Sequence, residues 1–273
     1  MINQEEFTMG SNIYSNKNKL NDLTGSEWKF STKSVINKSY PINMQHKLRS
    51  QHGGQKPPQL CEDLIKIFTK KGMTVLDPFM GVGGTLLGAS LCGRKAIGID
   101  ITEKWIDIYK KVSELEKLDI QTTYCGDSFK VLNKLEDESV DFILTDVPYW
   151  NMDALEKTRN KTVKQSKLNN FESNLEGQTK KEWLNDMKKI IGKSSKKLKK
   201  GKYIAVFIGD MYRDSEYHCL SGELAMKLSE IDGLTMKANL IWEDNSKSLH
   251  VFGYPAAFVP SMIHQNILIF RRD

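Results

Sequence analysis

Residues 74–85 read TVLDPFMGVGGT, a short apolar strand candidate followed by a glycine-rich turn and the start of an apolar helical stretch. In open α/β sheets, ligands bind at turns that join a strand to a helix in this way. Glycines at such a turn permit unusual backbone angles and let a ligand approach the main chain closely. We therefore expect an α/β sheet with a ligand site at this turn, although the glycine spacing alone does not specify the ligand.

From Thr74 onward, short strand candidates alternate with amphipathic helical stretches, and one further helical candidate precedes them. The strand candidates are Thr74–Asp77, Lys95–Asp100, Thr122–Cys125, Val140–Thr145 and Tyr203–Ile208, and the helical stretches are Leu60–Phe68, Thr85–Leu91, Thr102–Leu118, Ser128–Lys134 and Thr179–Leu198. Such alternation predicts right-handed crossovers and a mostly parallel sheet covered by helices on both faces. The last two strand candidates, Leu234–Trp242 and His264–Phe270, are joined by a Gly/Pro-bearing loop. They predict an antiparallel hairpin on one edge of a mixed sheet.

Two segments fall outside this pattern. Residues 1–25 are polar and lack a clear period, so we expect a loose arm followed by a single domain over residues 26–273. Residues 150–178 also lack apolar periodicity, and an irregular segment of this length is usually functional or disordered. We therefore expect an insert at 150–178.

The positive charge of the chain is concentrated in one segment. The formal net charge is +6, but residues 151–202 contain 15 Lys and Arg against 6 Asp and Glu, so the remainder is slightly negative. A polyanionic partner would explain this segment, because cationic side chains that neutralise phosphates release condensed counterions. A solvated helix face explains the segment equally well before any motif is considered.

Several classes of protein are disfavoured by composition. The longest apolar runs, such as residues 203–208, have strand length and are too short to span a bilayer. The first twenty residues lack the apolar stretch of a secretion signal. The four cysteines have no CxxC spacing and no neighbouring histidines, which argues against a zinc site and a disulfide framework. We therefore expect a cytoplasmic protein with no metal site and no membrane segment.

Acidic residues follow the next strand candidates and extend the expected ligand site. Asp100 ends its strand 19 residues after Gly81, where a carboxylate can accept hydrogen bonds from two ribose hydroxyls. Asp127 and Ser128 follow the next strand at the same expected sheet edge. Helix capping explains Asp127 or Ser128 about as well as a ligand role, but it explains Asp77 poorly.

The fourth strand candidate runs into Asp146-Val147-Pro148-Tyr149, and here the sequence resembles the amino-methyltransferases of DNA. Their hallmark after this strand is Asp/Asn/Ser-Pro-Pro and an aromatic residue, and Val147 replaces the first proline. The glycine turn matches the DPFxGxGxT signature of that family. Residues 49–60, RSQHGGQKPPQL, resemble its further cofactor motif, and residues 253–270 are similar to the closing hairpin of some members. The resemblance covers roughly residues 26–273.

The resemblance implies a Rossmann-like methyltransferase fold, S-adenosylmethionine as cofactor and DNA as partner. It places Asp100 at the cofactor ribose, Asp77 and Gly81 at the methionine end, and Asp127 near the adenine. The full set of residues that it assigns to the cofactor is Lys56, Pro57, Asp77, Pro78, Phe79, Gly81, Gly83, Thr85, Asp100, Asp127 and Ser128.

The motif at Asp146 suits the methylation of an exocyclic base amine. The lone pair of such an amine is delocalised into the ring, so hydrogen-bond acceptors must pull the nitrogen towards tetrahedral geometry and stabilise the developing positive charge. We expect the Asp146 carboxylate and the Val147 carbonyl to be these acceptors, with Pro148 completing the motif. Tyr149 is expected to stack on a base that is flipped out of the duplex. This chemistry needs neither a metal nor a covalent nucleophile.

Several activities fit these motifs to different degrees. We favour a site-specific DNA methyltransferase acting on adenine N6, with cytosine N4 as the alternative because both bases present a similar amine. An RNA base methyltransferase comes next, then a protein-glutamine methyltransferase, and Val147 leaves a catalytically inactive DNA-binding relative open. A nicotinamide dehydrogenase explains the glycine turn and Asp100, but it explains neither the Asp146 motif nor residues 49–60.

The basic segment begins directly after Tyr149, where DNA must enter if this assignment holds. We therefore expect the insert to face DNA and contact phosphates. The candidate contacts are Lys157, Arg159, Lys161, Lys164 and Lys167. A homodimer and a companion restriction enzyme both stay open as further partners.

Overall fold

A computed structural model describes residues 14–150 and 178–273. The predicted phosphate contacts Lys157, Arg159, Lys161, Lys164 and Lys167 and the first half of the predicted arm lie outside the described residues. In chain order the helices are α1 (Gly25–Ser31), α2 (His46–Arg49), α3 (Pro58–Phe68), α4 (Gly84–Leu91), α5 (Glu103–Leu115), α6 (Ser128–Val131), α7 (Lys180–Lys197) and α8 (Leu220–Ser229). The strands are β1 (Val35–Ile36), β2 (Thr74–Asp77), β3 (Lys95–Asp100), β4 (Thr122–Cys125), β5 (Val140–Asp146), β6 (Leu198–Ile208), β7 (Met211–Arg213), β8 (Glu216–His218), β9 (Leu234–Glu243) and β10 (His264–Arg272).

Eight of the strands in the described part of the chain form one sheet in the order β1-β9-β10-β6-β5-β2-β3-β4. The neighbours from β6 to β4 are parallel, whereas β10 runs antiparallel to both β6 and β9. The prediction of a mixed, mostly parallel sheet with a C-terminal antiparallel hairpin is therefore confirmed. The hairpin is not the outermost part of the sheet, because β1 pairs with β9 beyond it. A strand of two residues is too short to leave a periodic pattern in the sequence.

Alternating residues of the central strands pack into two apolar layers. Val75 and Phe142 face a layer covered by α3, α4 and α5, while Leu76 and Ile143 face a layer covered by α6, α7 and α8. All four side chains are fully buried. Burying a side chain of this size stabilises the fold by about 1.5–3 kcal/mol, so the strands are held from both faces.

The helix boundaries follow the predicted signals. Pro57 precedes α3 and Pro58 is its first residue, where a missing backbone N–H costs nothing. Thr179 and Glu182 form the predicted capping box at the start of α7. The same helix buries Trp183 completely in the core. Among the helices that the structure describes, none is long and apolar enough to cross a membrane.

Residues 14–25 are packed onto the domain rather than extending from it. Asn21 is buried, and its amide donates to the Ile67 carbonyl at 2.6 Å. Asp22 accepts from the Lys71 backbone N–H at 2.7 Å and pairs with Arg94. These contacts are made to residues distant in sequence, so the polar composition of the segment did not reveal them.

Candidate active site

The carboxyl ends of the parallel strands bring the predicted aspartates to one edge of the sheet. Asp77 ends β2, Asp100 ends β3 and Asp146 ends β5. Asp146 pairs with Phe207 near the end of β6, so the edge continues across that strand. Neighbouring strands lie about 4.8 Å apart, which places the three carboxylates around one crevice.

The glycine turn between β2 and α4 has a shape that larger residues cannot adopt. Gly81 and Gly83 have φ angles of +48° and +74°. A Cβ atom at Gly83 would lie 2.2 Å from the Tyr109 ring, and one at Gly81 would lie 2.9 Å from Nε2 of His52. The turn therefore packs closely against Tyr109 of α5 and against His52. Only glycine at these two positions leaves room for that packing.

Asp100 is bound to this turn. One carboxylate oxygen accepts from the Gly81 N–H at 2.8 Å and the other from the Thr102 N–H at 2.9 Å. Burial raises the pKa of Asp100 to about 6. An ionised carboxylate has about four acceptor positions, so each oxygen retains one for a further donor. These two free acceptor positions fit a ribose whose two adjacent hydroxyls donate to them.

Asp77 has a supporting position beneath the turn. Its Oδ1 atom accepts from the Thr145 hydroxyl at 2.7 Å and from the Phe79 N–H at 3.0 Å. Burial raises the pKa of Asp77 to about 6. Two further hydroxyls tie the turn to its surroundings, since Ser128 donates to the Pro78 carbonyl at 2.5 Å and Thr85 donates to a β5 carbonyl. These residues hold the crevice in shape.

Asp127 takes the capping role that was one of its two predicted interpretations. It lies at the N-cap of α6, where its side chain accepts from the Lys130 N–H at 3.0 Å. The residue is exposed. A place near the cofactor adenine therefore stays a proposal for Asp127.

Lys56 lies at the Asp146 carboxylate. Its ammonium donates to Oδ2 of Asp146, and the two side chains are 7% and 23% exposed. Burial raises the pKa of the Asp146 carboxyl above its ordinary value, and the Lys56 charge opposes that rise. The other oxygen, Oδ1, is buried and has no hydrogen-bond partner in residues 14–150 and 178–273. Sequence reasoning assigned Lys56 to the cofactor and missed this pair, because nothing in the chain links positions 90 residues apart.

Tyr149 lies beside the same carboxylate. Burial, and then the Asp146 charge, raise the pKa of Tyr149 well above its ordinary value, although the geometry between the two groups falls short of a hydrogen bond. A Cβ atom at Gly209, just after β6, would lie 3.0 Å from the Tyr149 ring, so this glycine leaves space for it. The Trp183 indole on α7 donates to the Pro148 carbonyl at 2.8 Å and fixes the loop. Gly209 was not identified from the sequence, where a single glycine after a strand carries no signal.

The described part of the basic segment makes internal ion pairs. On α7, Lys180 pairs with Glu223, Lys188 with Glu230, Lys189 with Asp186 and Lys197 with Asp137, at distances between 2.6 and 3.0 Å. Lys199 on β6 pairs with Asp141 at 2.8 Å. Much of this charge is therefore balanced within the domain.

A mostly parallel sheet with a glycine turn, a ribose-compatible carboxylate and Asp-x-Pro-Tyr at one edge is the arrangement expected of an S-adenosylmethionine-dependent methyltransferase. A family model described as DNA methylase, of the N6/N4 class, matches residues 3–111 and 140–273. The chain belongs to this family, and S-adenosylmethionine is the methyl donor of the class.

The chain is also similar to curated methyltransferases over part of its length, and it shares its fold with a solved structure. The chain is 41% identical over 70 residues to Type II methyltransferase M2.DpnII of Streptococcus pneumoniae, covering 26% of each chain. It is 32% identical over 121 residues to the tRNA (guanine(10)-N2)-dimethyltransferase of Pyrococcus abyssi, covering 44% of this chain and 36% of that protein. The matches thus span about a third or less of these relatives. The crystal structure of TrmN from Thermus thermophilus shares the fold, with a TM-score of 0.55, 15% identity and coverage of 86% of this chain and 55% of that one.

Proposed function

We propose that the protein methylates the exocyclic amine of a DNA base flipped out of the duplex, with adenine N6 favoured over cytosine N4. The observation that carries this proposal is Oδ1 of Asp146, which is buried at the crevice without a hydrogen-bond donor among the residues described. A buried acceptor without a donor is costly, so it marks a place where a ligand supplies one. The N–H of a base amine is such a donor.

The proposed chemistry uses two acceptors on the amine. S-adenosylmethionine, when bound, would supply the methyl group, whose bond to the sulfonium sulfur breaks as the bond to nitrogen forms, with the electron pair of the broken bond staying on sulfur. Asp146 Oδ1 and the Val147 carbonyl each accept one amine hydrogen, which moves the nitrogen lone pair out of the ring and stabilises the positive charge on nitrogen. When the nitrogen gains its new bond to carbon, it must release one proton. Burial raises the pKa of Asp146 and makes this carboxylate a better acceptor for that proton than an exposed aspartate.

Tyr149 gives the flipped base a surface to stack on. Its ring is packed against Gly209 and the apolar layer under α7. Stacking of a base on an aromatic ring contributes about 1–3 kcal/mol, which offsets part of the cost of flipping. In this proposal Val147 keeps the acceptor carbonyl of the motif, and its fully buried side chain replaces the proline ring in restraining the loop.

Family membership and the similarity to Type II methyltransferases support DNA as the substrate and a place in restriction-modification. RNA is the second candidate. Two of the relatives are named tRNA (guanine(10)-N2)-dimethyltransferases, and they match longer segments of this chain than M2.DpnII does. Guanine N2 is also an exocyclic amine, so the same acceptors would serve it.

Mass spectrometry of nucleosides tests both candidates. The protein is incubated with S-adenosylmethionine and either methyl-free plasmid DNA or unmodified tRNA, and each product is digested to nucleosides. We expect N6-methyladenine in the DNA sample and, at the same early time point, about 100-fold less of it, or lower still, with an Asp146→Ala control. N4-methylcytosine would transfer the proposal to cytosine, N2-methylguanine in tRNA would favour the second candidate, and an absence of all three would refute the proposed activity.

A further inference from the structure

We propose that Lys56 is a positioning residue, which holds Oδ2 of Asp146 so that Oδ1 alone faces the base amine. The inference rests on the proposed role of Asp146. The two carboxylate oxygens differ in the structure, since Oδ2 accepts from the Lys56 ammonium and Oδ1 has no partner in the described part of the chain. A carboxylate that can rotate would present either oxygen, whereas one anchored by an ion pair presents a single acceptor in a fixed direction.

Lys56 is itself held in place at both ends. Its backbone carbonyl accepts from the buried Arg49 guanidinium. The same carbonyl would lie 3.0 Å from a Cβ atom at Gly84, so the first turn of α4 packs directly on it. At the other end, the ammonium lies 5.3 Å from the ring centroid of Phe207, the residue that pairs with Asp146 across β5 and β6. The glycine turn and the catalytic carboxylate are therefore connected through one buried side chain.

The positive charge of Lys56 also favours the ionised form of Asp146. Protonation would turn one oxygen of the Asp146 carboxyl from an acceptor into a donor. The carboxyl would then accept the amine hydrogen less well. The charged or titratable groups acting on Asp146 are Lys56, Lys247 from the loop between β9 and β10, Tyr149 and Asp77. The two lysines lower the pKa of Asp146, and Lys56 also donates a hydrogen bond to it. Removing Lys56 therefore leaves a buried carboxylate that ionises only at higher pH.

The family resemblance suggests instead that Lys56 binds the cofactor, and the two roles predict different losses. A positioning role predicts slower transfer with a shifted pH profile and nearly unchanged cofactor affinity. A cofactor role predicts weaker cofactor binding. Lys56→Met removes the charge and retains the length of the side chain, while Lys56→Arg retains the charge. Lys197→Met is a matched control, because Lys197 is also a buried partner of an aspartate, Asp137, and lies on α7 away from the crevice.

The first measurement is the single-turnover methylation rate of plasmid DNA from pH 5.5 to 9.5. For Lys56→Met we expect at least a tenfold loss at pH 7, partial recovery at higher pH, and an acid limb displaced to higher pH. Lys56→Arg and Lys197→Met should keep the wild-type limb. Calorimetry with S-adenosylmethionine should give dissociation constants within threefold of wild type. An unmoved acid limb in Lys56→Met, or a tenfold loss of cofactor affinity at an unchanged rate, would overturn the proposal.

A second measurement needs no methyl transfer and separates failure of this inference from failure of the proposed function. Urea unfolding is compared for wild type, Lys56→Met, Asp146→Asn and the double variant at pH 4.5 and 7.5. An ionised Asp146 without its partner is an unpaired buried charge, so Lys56→Met should lower stability more at pH 7.5 than at pH 4.5. The double variant should lose that difference. Equal destabilisation at both pH values would show that Lys56 and Asp146 are not coupled. If Lys56→Met does not fold, the same comparison is made with Lys56→Gln.

Discussion

At the residue scale, Asp146 has one buried carboxylate oxygen without a hydrogen-bond partner among the described residues. Its proposed contribution to methyl transfer can therefore be tested by removing the carboxylate. An acceptor that acts on charge developing at the amine stabilises the transition state more than the ground state. We expect Asp146→Ala to lower single-turnover methylation by about 100-fold or more, the range found when one electrostatic stabiliser is removed. Cofactor affinity measured by calorimetry should stay within threefold of wild type. Near-normal transfer by this variant would mean that another group activates the amine.

Asp100 provides a second residue-scale prediction, on binding and its pH dependence. Asp100→Ala should raise the cofactor dissociation constant at least tenfold, about 1.4 kcal/mol, because charge-assisted hydrogen bonds to the ribose are lost. Burial raises the pKa of Asp100 to about 6, and protonation removes acceptor capacity. Wild-type affinity should therefore be full above pH 7 and weaken as the pH falls through about 6. Calorimetry between pH 5 and 8 checks this, with Asp100→Asn expected to show a flat profile; a flat wild-type profile would contradict the assignment.

At the element scale, the start of α4 depends on a glycine with a left-handed backbone in a crowded position. Gly83 has a φ of +74° and would place a Cβ atom 2.2 Å from the Tyr109 ring. Gly72 has a similar φ of +79°, with nothing within 4 Å of its Cβ position. Both Gly→Ala changes carry the strain of a left-handed backbone, about 1–2 kcal/mol, but only Gly83→Ala adds overpacking of about 1–3 kcal/mol. Urea unfolding should show the larger loss at Gly83, and equal losses would mean that the turn adjusts without cost.

The same turn shows how far sequence reasoning reaches. Asp77, the two glycines of the GxG spacing and Asp100 were predicted to share one sheet edge, because strand order and the position after a strand are local properties of a sequence. The cap of α7 was predicted for the same reason. By contrast, the contact between Lys56 and Asp146 depends on how two distant segments pack. The two-residue strand β1 escaped prediction because it spans a single period of a strand pattern, and one period shows no repetition.

At the scale of the whole molecule, the distribution of charge determines which surfaces could contact a polyanion. Residues 151–202 carry the net positive charge of the chain, but four of the seven lysines of α7 are paired with acidic partners. These pairs favour the structural interpretation for α7. The cations between the Asp146 motif and α7 follow Tyr149 directly in the chain, and they are the remaining candidates for contacts with phosphate.

The salt dependence of DNA binding tests whether the cations at positions 157–167, and not the paired lysines of α7, contact phosphate. We propose that Lys157, Arg159, Lys161, Lys164 and Lys167 contact DNA phosphates, and the test variant changes all five to Gln. Each lost contact should lower the slope of log affinity against log salt by roughly 0.9, so five contacts would lower it by about 4 to 5. The matched control is Lys188→Gln with Lys189→Gln, since these lysines pair with Glu230 and Asp186 on the domain surface, and it should keep the wild-type slope. Binding of methyl-free duplex DNA is measured by fluorescence anisotropy between 50 and about 200 mM salt, the range over which phosphate contacts dominate affinity. If the five-residue variant keeps the wild-type slope, these five cations are solvated and do not contact phosphate. DNA would then reach the crevice over another surface.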